Sequence, residues 1–399
     1  MAARDGFADT ELGFVWSAFG RARPRAAKRP DIRGVQLLPE AVGWSVKTFT
    51  CIGKVREVHP VCRDSSFGKN RKAVLMLPLS ILDLAPVSEG STPALALQNS
   101  RELAQHAERW GYRRYWVAEH HNMVGIASAA TSVLIGFIAA NTSTIRVGAG
   151  GIMLPNHSPL VIAEQFGTLE SLYPKRIDLG LGRAPGTDRQ TMHALRVDPM
   201  ASEQFPQDVL ELQGLLGPLR PGQTIRAVPG TDTNVPLWIL GSSLFGAQLA
   251  AMLGLPYAFA SHFAPDALMP AMEVYRAKFK PSQQLQRPYA MAGVNIVAAE
   301  TDARAEHLFT SLQQRFTDMV RGARGLTKPP IVDIEAYWSP AEKIQAQRML
   351  KCSFVGSPGT LRGQLQDFMA KAEVDELMVA TAIYDHAARL RSYELLAGI

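Results

Sequence analysis

The 399-residue sequence predicts an α/β protein, a (β/α)₈ TIM-type barrel with insertions at its C-terminal rim, preceded by an N-terminal extension. Two observations predict it. Eight short apolar runs rich in β-branched or aromatic residues are separated by helix-forming sequence, the pattern of buried parallel strands in βα units. Three of these runs end in Glu119-His120-His121, Gly148-Ala149-Gly150-Gly151 and Gly180-Leu181-Gly182-Arg183, so the unusual chemistry sits at strand C-termini, the edge where such proteins bind ligands. Periodicity alone would also allow an open doubly wound sheet; eight strands alternating with helices favour the closed barrel.

Taken in order, Leu77 to Leu84 is the first strand, and Thr92 followed by Pro93 gives the cap-plus-proline start of a helix that Gly111 closes. Residues 114–121 form the second strand and its polar end, an Ala-rich helix covers about 128–141, and 145–151 is the third strand. Ser158-Pro159 opens a helix that Pro174 ends, and Ile177 to Leu181 is the fourth strand. The stretch from Ala184 to Thr233 is too long for one crossover, so a helix at about 201–216 and a Pro/Gly-rich excursion are expected to lid the barrel mouth. Val235 to Leu240 and Tyr257 to Ala260 are the fifth and sixth strands, and 291–298 the seventh. Thr301-Asp302 starts a helix, extra helices are expected as far as about residue 355, and Ser357-Pro358 starts another. Glu376 to Ala380 is the eighth strand, and Asp385 caps the terminal helix.

Residues 1–75 lack sustained periodicity, and Arg21-Ala22-Arg23-Pro24-Arg25 with Lys28-Arg29-Pro30 reads as a basic, disordered segment. Asp5, Asp9 and Glu11 argue against a transit peptide, and the favoured reading is that translation begins at Met76, with the barrel domain at 76–399. The extension holds 14 Lys plus Arg against 7 Asp plus Glu, which exceeds the whole chain's net +6. The body is therefore close to neutral and carries no charge footprint for nucleic acid. No apolar run approaches the roughly 20 residues of a membrane span. Cys51, Cys62 and Cys352 make neither a disulfide framework nor a zinc site, which fits a reducing, cytoplasmic compartment.

Each motif has a bland reading beside the chemical one. Gly180 to Gly186 misses the dinucleotide fingerprint, because Pro185 stands where the third glycine belongs. Its glycines would let backbone pass close to a ligand; Arg183 suits a phosphate, or on spacing alone equally a surface pair with Asp188. Gly241-Ser242-Ser243 before a helix is either an ordinary cap or an anion site of unpaired N–H groups and hydroxyls. His120 and His121 are consecutive strand residues, so only one can face a cavity, and adjacent histidines chelate metal poorly. Gly150-Gly151 could serve simple tight packing. His157, His193 and His262 are read as polar bystanders.

In order and spacing, Glu119-His120-His121, Val147 to Pro155 and Gly180-Leu181-Gly182-Arg183 resemble the bacterial luciferase-like flavin monooxygenases, closest to the alkanal-monooxygenase-like branch. The resemblance runs from about Leu77 to the end of the chain. It implies FMN at the rim, its phosphate on Arg183 and Gly241-Ser242-Ser243, and a non-prolyl cis peptide at Gly150-Gly151 under the flavin ring, where glycines carry the least steric cost. It implies a proton-moving histidine, His120 by alignment with His121 as fallback. The activity implied is a monooxygenase using reduced FMN from a separate NAD(P)H:flavin reductase, O₂, and an aldehyde-like or other small apolar substrate. One departure stands out: the luciferases' reactive cysteine position holds Gly182, so neither light emission nor a long-chain aldehyde is expected. An F420-dependent hydride-transfer oxidoreductase and a flavin-binding barrel without turnover are the alternatives, and homodimerisation is left open.

Overall fold

Successive residues of a strand face opposite sides, and in this chain the two faces are filled differently. In the computed structural model, which describes residues 78–184 and 188–399, β1 (Leu79–Asp83) and β2 (Arg114–Val117) send Ile81, Tyr115 and Val117 outward into the large core shared with the helices. Leu82 and Trp116 point the other way, into a smaller cluster with Trp238, Ala258, Met291 and Met378. That cluster is the inside of a barrel. The readings made for residues 1–75, including a start at Met76, lie outside the described residues.

The remaining strands are β3 (Arg146–Met153), β4 (Ile177–Gly182), β5 (Leu237–Gly241), β6 (Tyr257–Phe259), β7 (Ala290–Ala298), β8 (Ser353–Gly356) and β9 (Glu376–Ala380). All the pairings are parallel, and the sequence β1 through β7, then β9 back to β1, closes a ring of eight. The helices that follow the strands include α1 (Pro93–Arg109), α2 (Thr131–Ala140), α3 (Pro159–Leu172), α4 (Arg189–Ala194), α5 (Phe205–Leu216), α6 (Leu244–Leu253), α7 (Leu268–Lys278), α8 (Asp302–Val320), α9 (Pro340–Met349), α10 (Pro358–Ala372) and α11 (His386–Ala397). The caps foreseen at Thr92 and Asp385 form, each side chain accepting a first-turn N–H. The expected eight-stranded barrel is therefore present, with α4 and α7 as helices that the sequence pattern did not mark.

The ninth strand is a correction, because residues 300–355 were expected to add helices only. β7 is nine residues long and outruns its neighbours. On one edge it pairs with β9 over Met291 to Asn295; on the other it pairs with β6 over Ala290 to Ala292 and with β8 over Asn295 to Ala298. Strand β8 thus satisfies the backbone of the upper part of β7, above the short β6.

The lower barrel interior is plugged by charge. Arg114 donates to both oxygens of Glu376, at 2.7 and 3.1 Å, and to Asp178 at 2.9 Å. Arg146 also binds Asp178, while Ser80 and Tyr289 donate to Glu376. Trp116 caps this layer, its Nε1 donating to Asp178 at 3.1 Å and its ring packed edge-on to Trp238. Above Trp116 the inward positions shrink to Gly180 and Gly182 on β4 and Ala118 after β2, so the barrel cannot be filled there. Among the described residues, no helix is long and apolar enough to cross a membrane.

Candidate active site

The space left by those small residues is a cavity of about 460 Å³ at the C-terminal mouth. Its floor is Trp116, Leu82 and Met378, and its walls bring together most of the residues singled out in the sequence: His120, Gly150, Gly151, Gly182, Arg183, Gly241, Ser242 and Ser243. They come from four successive strand ends. His121, the fallback to His120, does not line the cavity.

The reason His121 turns away lies with Glu119. This carboxylate is buried at the end of β2 and accepts from His121 Nε2 at 2.8 Å, His157 Nε2 at 2.9 Å and the backbone N–H of Met153 at 3.0 Å. Burial alone would raise its pKa, yet the hydrogen bonds from His121 and His157 outweigh it and hold Glu119 at about 2. The same bond, opposed by partial burial, raises His121 above the ordinary imidazole value. Glu119 therefore ties the end of β2 to the end of β3, and His157 is part of that tie. With one neighbour held against Glu119, the alternation of an extended backbone leaves His120 on the cavity side.

On β3 the Gly150–Gly151 peptide is cis. A Cβ on Gly150 would stand 2.7 Å from Leu82 Cδ1 and 3.1 Å from Trp116 Cβ, and one on Gly151 would stand 2.9 Å from the Gly180 carbonyl oxygen. Only glycine lets this backbone lie so close to its neighbours, presenting a bare peptide to the cavity.

Strands β4 and β5 are neighbours, with Gly182 opposite Leu240, so Arg183 emerges beside the start of α6. Its guanidinium carbon sits 4.2 Å from the centre of the Phe245 ring, in the first turn of that helix. Asp188, the partner a surface reading would give it, instead caps α4 and faces Arg324 at 3.5 Å. Ser243 is the N-cap of α6, yet its side chain makes no capping bond. A guanidinium, two hydroxyls and the positive end of a helix thus surround one place, which suits a phosphate.

His262, read as a bystander, is brought to the cavity wall. Its ring fills the space beside Gly293 and lines the cavity. Burial, helped by the proximity of His120, lowers its pKa to about 4, so it is neutral at ordinary pH. The loop that carries it is stitched to β7: Ser261 Oγ donates to the Gly293 carbonyl at 2.6 Å, and Asn295 Nδ2 to that of His262 at 2.6 Å. Sequence offered no signal for this, since the six residues after β6 show no period. His193 is exposed on α4 and does not line the cavity.

The family model described as luciferase-like monooxygenase matches residues 77–376. A luciferase-like monooxygenase of Escherichia coli (strain K12) is 55% identical over 324 residues, 81% of this chain and 97% of that protein. N-acetyl-S-alkylcysteine monooxygenase of Bacillus subtilis (strain 168) is 32% identical over 81% of this chain and 98% of its own length. The solved structure of apo-MsnO8 superposes with a TM-score of 0.75 at 39% identity, covering 81% of this chain and 98% of that one. At 15 and 16% identity the same fold holds FMN in one solved protein and acts with F420 in another. The chain belongs to the luciferase-like monooxygenase family.

Proposed function

We propose that this protein is an FMN-dependent monooxygenase that takes reduced FMN from a separate NAD(P)H:flavin reductase and inserts one oxygen atom of O₂ into a small, largely apolar organic substrate, aldehyde-like or similar. The observation that carries this reading is the convergence of Arg183 and the α6 start with the bare Gly150–Gly151 peptide on one cavity. The donors match a phosphate, and the flat, side-chain-free backbone matches a ring laid against it. The residues present therefore fit the flavin.

Bound flavin would supply the activation of O₂. Arg183, Ser242, Ser243 and the first N–H groups of α6 would hold the flavin phosphate. Trp116, Leu82 and Met378 below, with Phe263 and Phe316 among the walls, exclude water from the reacting space. His120 holds and moves the proton at the cavity wall, while His262, neutral beside it, can accept or donate a hydrogen bond without adding charge. Glu119 keeps the strand end bearing His120 fixed. A relative named for oxygenating an S-alkylcysteine supports oxygenation in preference to hydride transfer.

The test is reconstitution with FMN, NADPH and a flavin reductase, reading oxygen uptake and the mass of the product across a panel of small substrates. Substrate-dependent gain of one oxygen atom supports the proposal. An absorbance change with F420 and no oxygen uptake would replace it with hydride transfer, and tight FMN binding without turnover on any substrate would leave a flavin carrier.

A further inference from the structure

Helix α8 turns one face into the cavity. Leu312, Arg315, Phe316 and Met319 all line it, and their three- and four-residue spacing is that of a single helical stripe. Three of the four are apolar, and the fourth is an arginine. Among the described residues Arg315 makes no hydrogen bond and no ion pair, whereas Arg321, on the first residue past the same helix, is bound twice to Glu342. Burial lowers the pKa of Arg315, as desolvation of a cation must.

The charges around the cavity sharpen the point. No aspartate or glutamate is among the described residues that line it, and its three arginines are Arg183, Arg315 and Arg389. Arg389 is neutralised by Asp83 at 2.7 Å. Arg183 stands with the α6 start at the ends of β4 and β5. Arg315 stands elsewhere, because α8 follows β7, and in the ring of eight β7 lies four strands from β3, directly across the mouth from the Gly150–Gly151 peptide. The two arginines therefore enter the cavity from different sides, Arg183 beside the start of α6 and Arg315 from α8. Arg315 is half-buried, its charge turned to the cavity without a counter-ion, and an anion that arrives with a ligand would find it unneutralised.

We propose that Arg315 is the binding site for a carboxylate on the substrate, which is therefore an apolar molecule bearing an acid group. The planar guanidinium offers two parallel N–H donors matched to a carboxylate, and Leu312, Phe316 and Met319 provide the apolar wall for the rest of the molecule. Calling this ligand the substrate rests on the monooxygenase reading above. The carboxylate site itself does not.

Octanoate and its neutral counterpart octanamide serve as probes, titrated by calorimetry into the full chain with and without oxidised FMN, alongside the FMN affinity of each protein. The parent is expected to bind octanoate at least about tenfold more tightly than octanamide. Arg315→Met is expected to abolish that preference and Arg315→Lys to keep part of it, both with unchanged FMN affinity. Arg315→Gln, which keeps polarity without charge, replaces the methionine variant if that one fails to fold. Absence of octanoate binding, no preference over octanamide in the parent, or a preference that survives in Arg315→Met and Arg315→Gln would overturn the assignment. So would a loss of FMN affinity in those variants, since the arginine would then serve the flavin. A parent that selects octanoate but does not bind FMN would remove the flavin reading and leave the carboxylate site standing.

Discussion

Arg183 lies over the ring of Phe245, its guanidinium carbon 4.2 Å from the ring centre, so the last residues of one strand clasp the first turn of the helix after the next. The contact restrains a long side chain in the direction from which a phosphate would be met, before any ligand is present. Arg183→Ala is expected to weaken FMN binding about 10- to 100-fold, the value of a charge-assisted contact, with riboflavin binding equally well to mutant and parent. Flavin fluorescence titrations of both ligands check this. An equal loss for riboflavin would mean that Arg183 supports the ring or the fold.

The two adjacent histidines should separate cleanly. His120→Ala is expected to leave FMN affinity nearly intact and to lower turnover by about 10²-fold or more, the usual effect of a lost acid–base group. His121→Ala, which loses the bond to Glu119 and removes no cavity-lining side chain, should reduce turnover far less. Steady-state rates with reduced FMN supplied enzymatically decide it, and a dead His121→Ala beside an active His120→Ala would reverse the assignment.

Glu119 makes stability depend on acid. Its folded pKa of about 2 lies below the ordinary 4.5, so its stabilising contribution is complete above 4.5 and disappears as pH falls through about 2. The size is on the order of 3 kcal/mol. Urea unfolding at several pH values between 6 and 2 should show the parent losing about that much more than Glu119→Gln. Parallel curves for the two proteins would remove Glu119 from the acid limb. His121, raised by the same bond, contributes stability that is present below the ordinary imidazole value and is lost as pH rises through its folded value. The two limbs report one interaction and do not add.

The charged plug beneath Trp116 is sensitive to loss of a single partner. Arg114→Met would leave Asp178 and Glu376 buried with a cation removed, and is expected to cost about 3–5 kcal/mol of unfolding free energy. Equilibrium denaturation measures this directly. A variant as stable as the parent would show that the remaining Arg146 and Tyr289 contacts suffice.

Glycines two residues apart on β4 should differ in tolerance. A Cβ on Gly180 would collide with the Ala149 carbonyl, which is backbone and cannot move aside, whereas one on Gly182 would meet Met153 Sδ at 3.0 Å, the far part of a flexible side chain. Gly180→Ala is expected to be destabilised by about 1–3 kcal/mol or more, and Gly182→Ala by much less. Thermal melts of the two variants compare them, and equal losses would mean that the rim is as rigid as the interior.

What the sequence revealed follows from where the chemistry sits. Glu119, Gly150, Gly151 and Arg183 each end a short apolar run, so the strand that predicts the fold also places the residue at the mouth. His262 and Arg315 were out of reach for two different reasons. His262 follows a strand of three residues, too short to set a direction. Arg315 belongs to a helix whose sequence marks an apolar stripe, but which neighbour that stripe faces depends on the path of α8 over the barrel. Strand β8 was missed because four residues between two helices carry no alternation of their own; it is a strand because β7 has backbone groups to pair there.

Because β8 takes its place beside β7, everything between Ala298 and Ser353 leaves the barrel on one strand and returns on its immediate neighbour. The two strands are parallel and Ser353 lies opposite Asn295, so the ends of the excursion that carries Arg315 are offset by three residues, roughly 10 Å along the strands, and stay on the same edge of the barrel. Changing its length alters chain-closure entropy only slightly, by about 0.6 kcal/mol per doubling. One wall of the mouth can therefore be exchanged or resized as a unit while Arg183 and the start of α6 stay as they are, which gives evolution, or an engineer, a natural pair of splice points for changing what the cavity accepts.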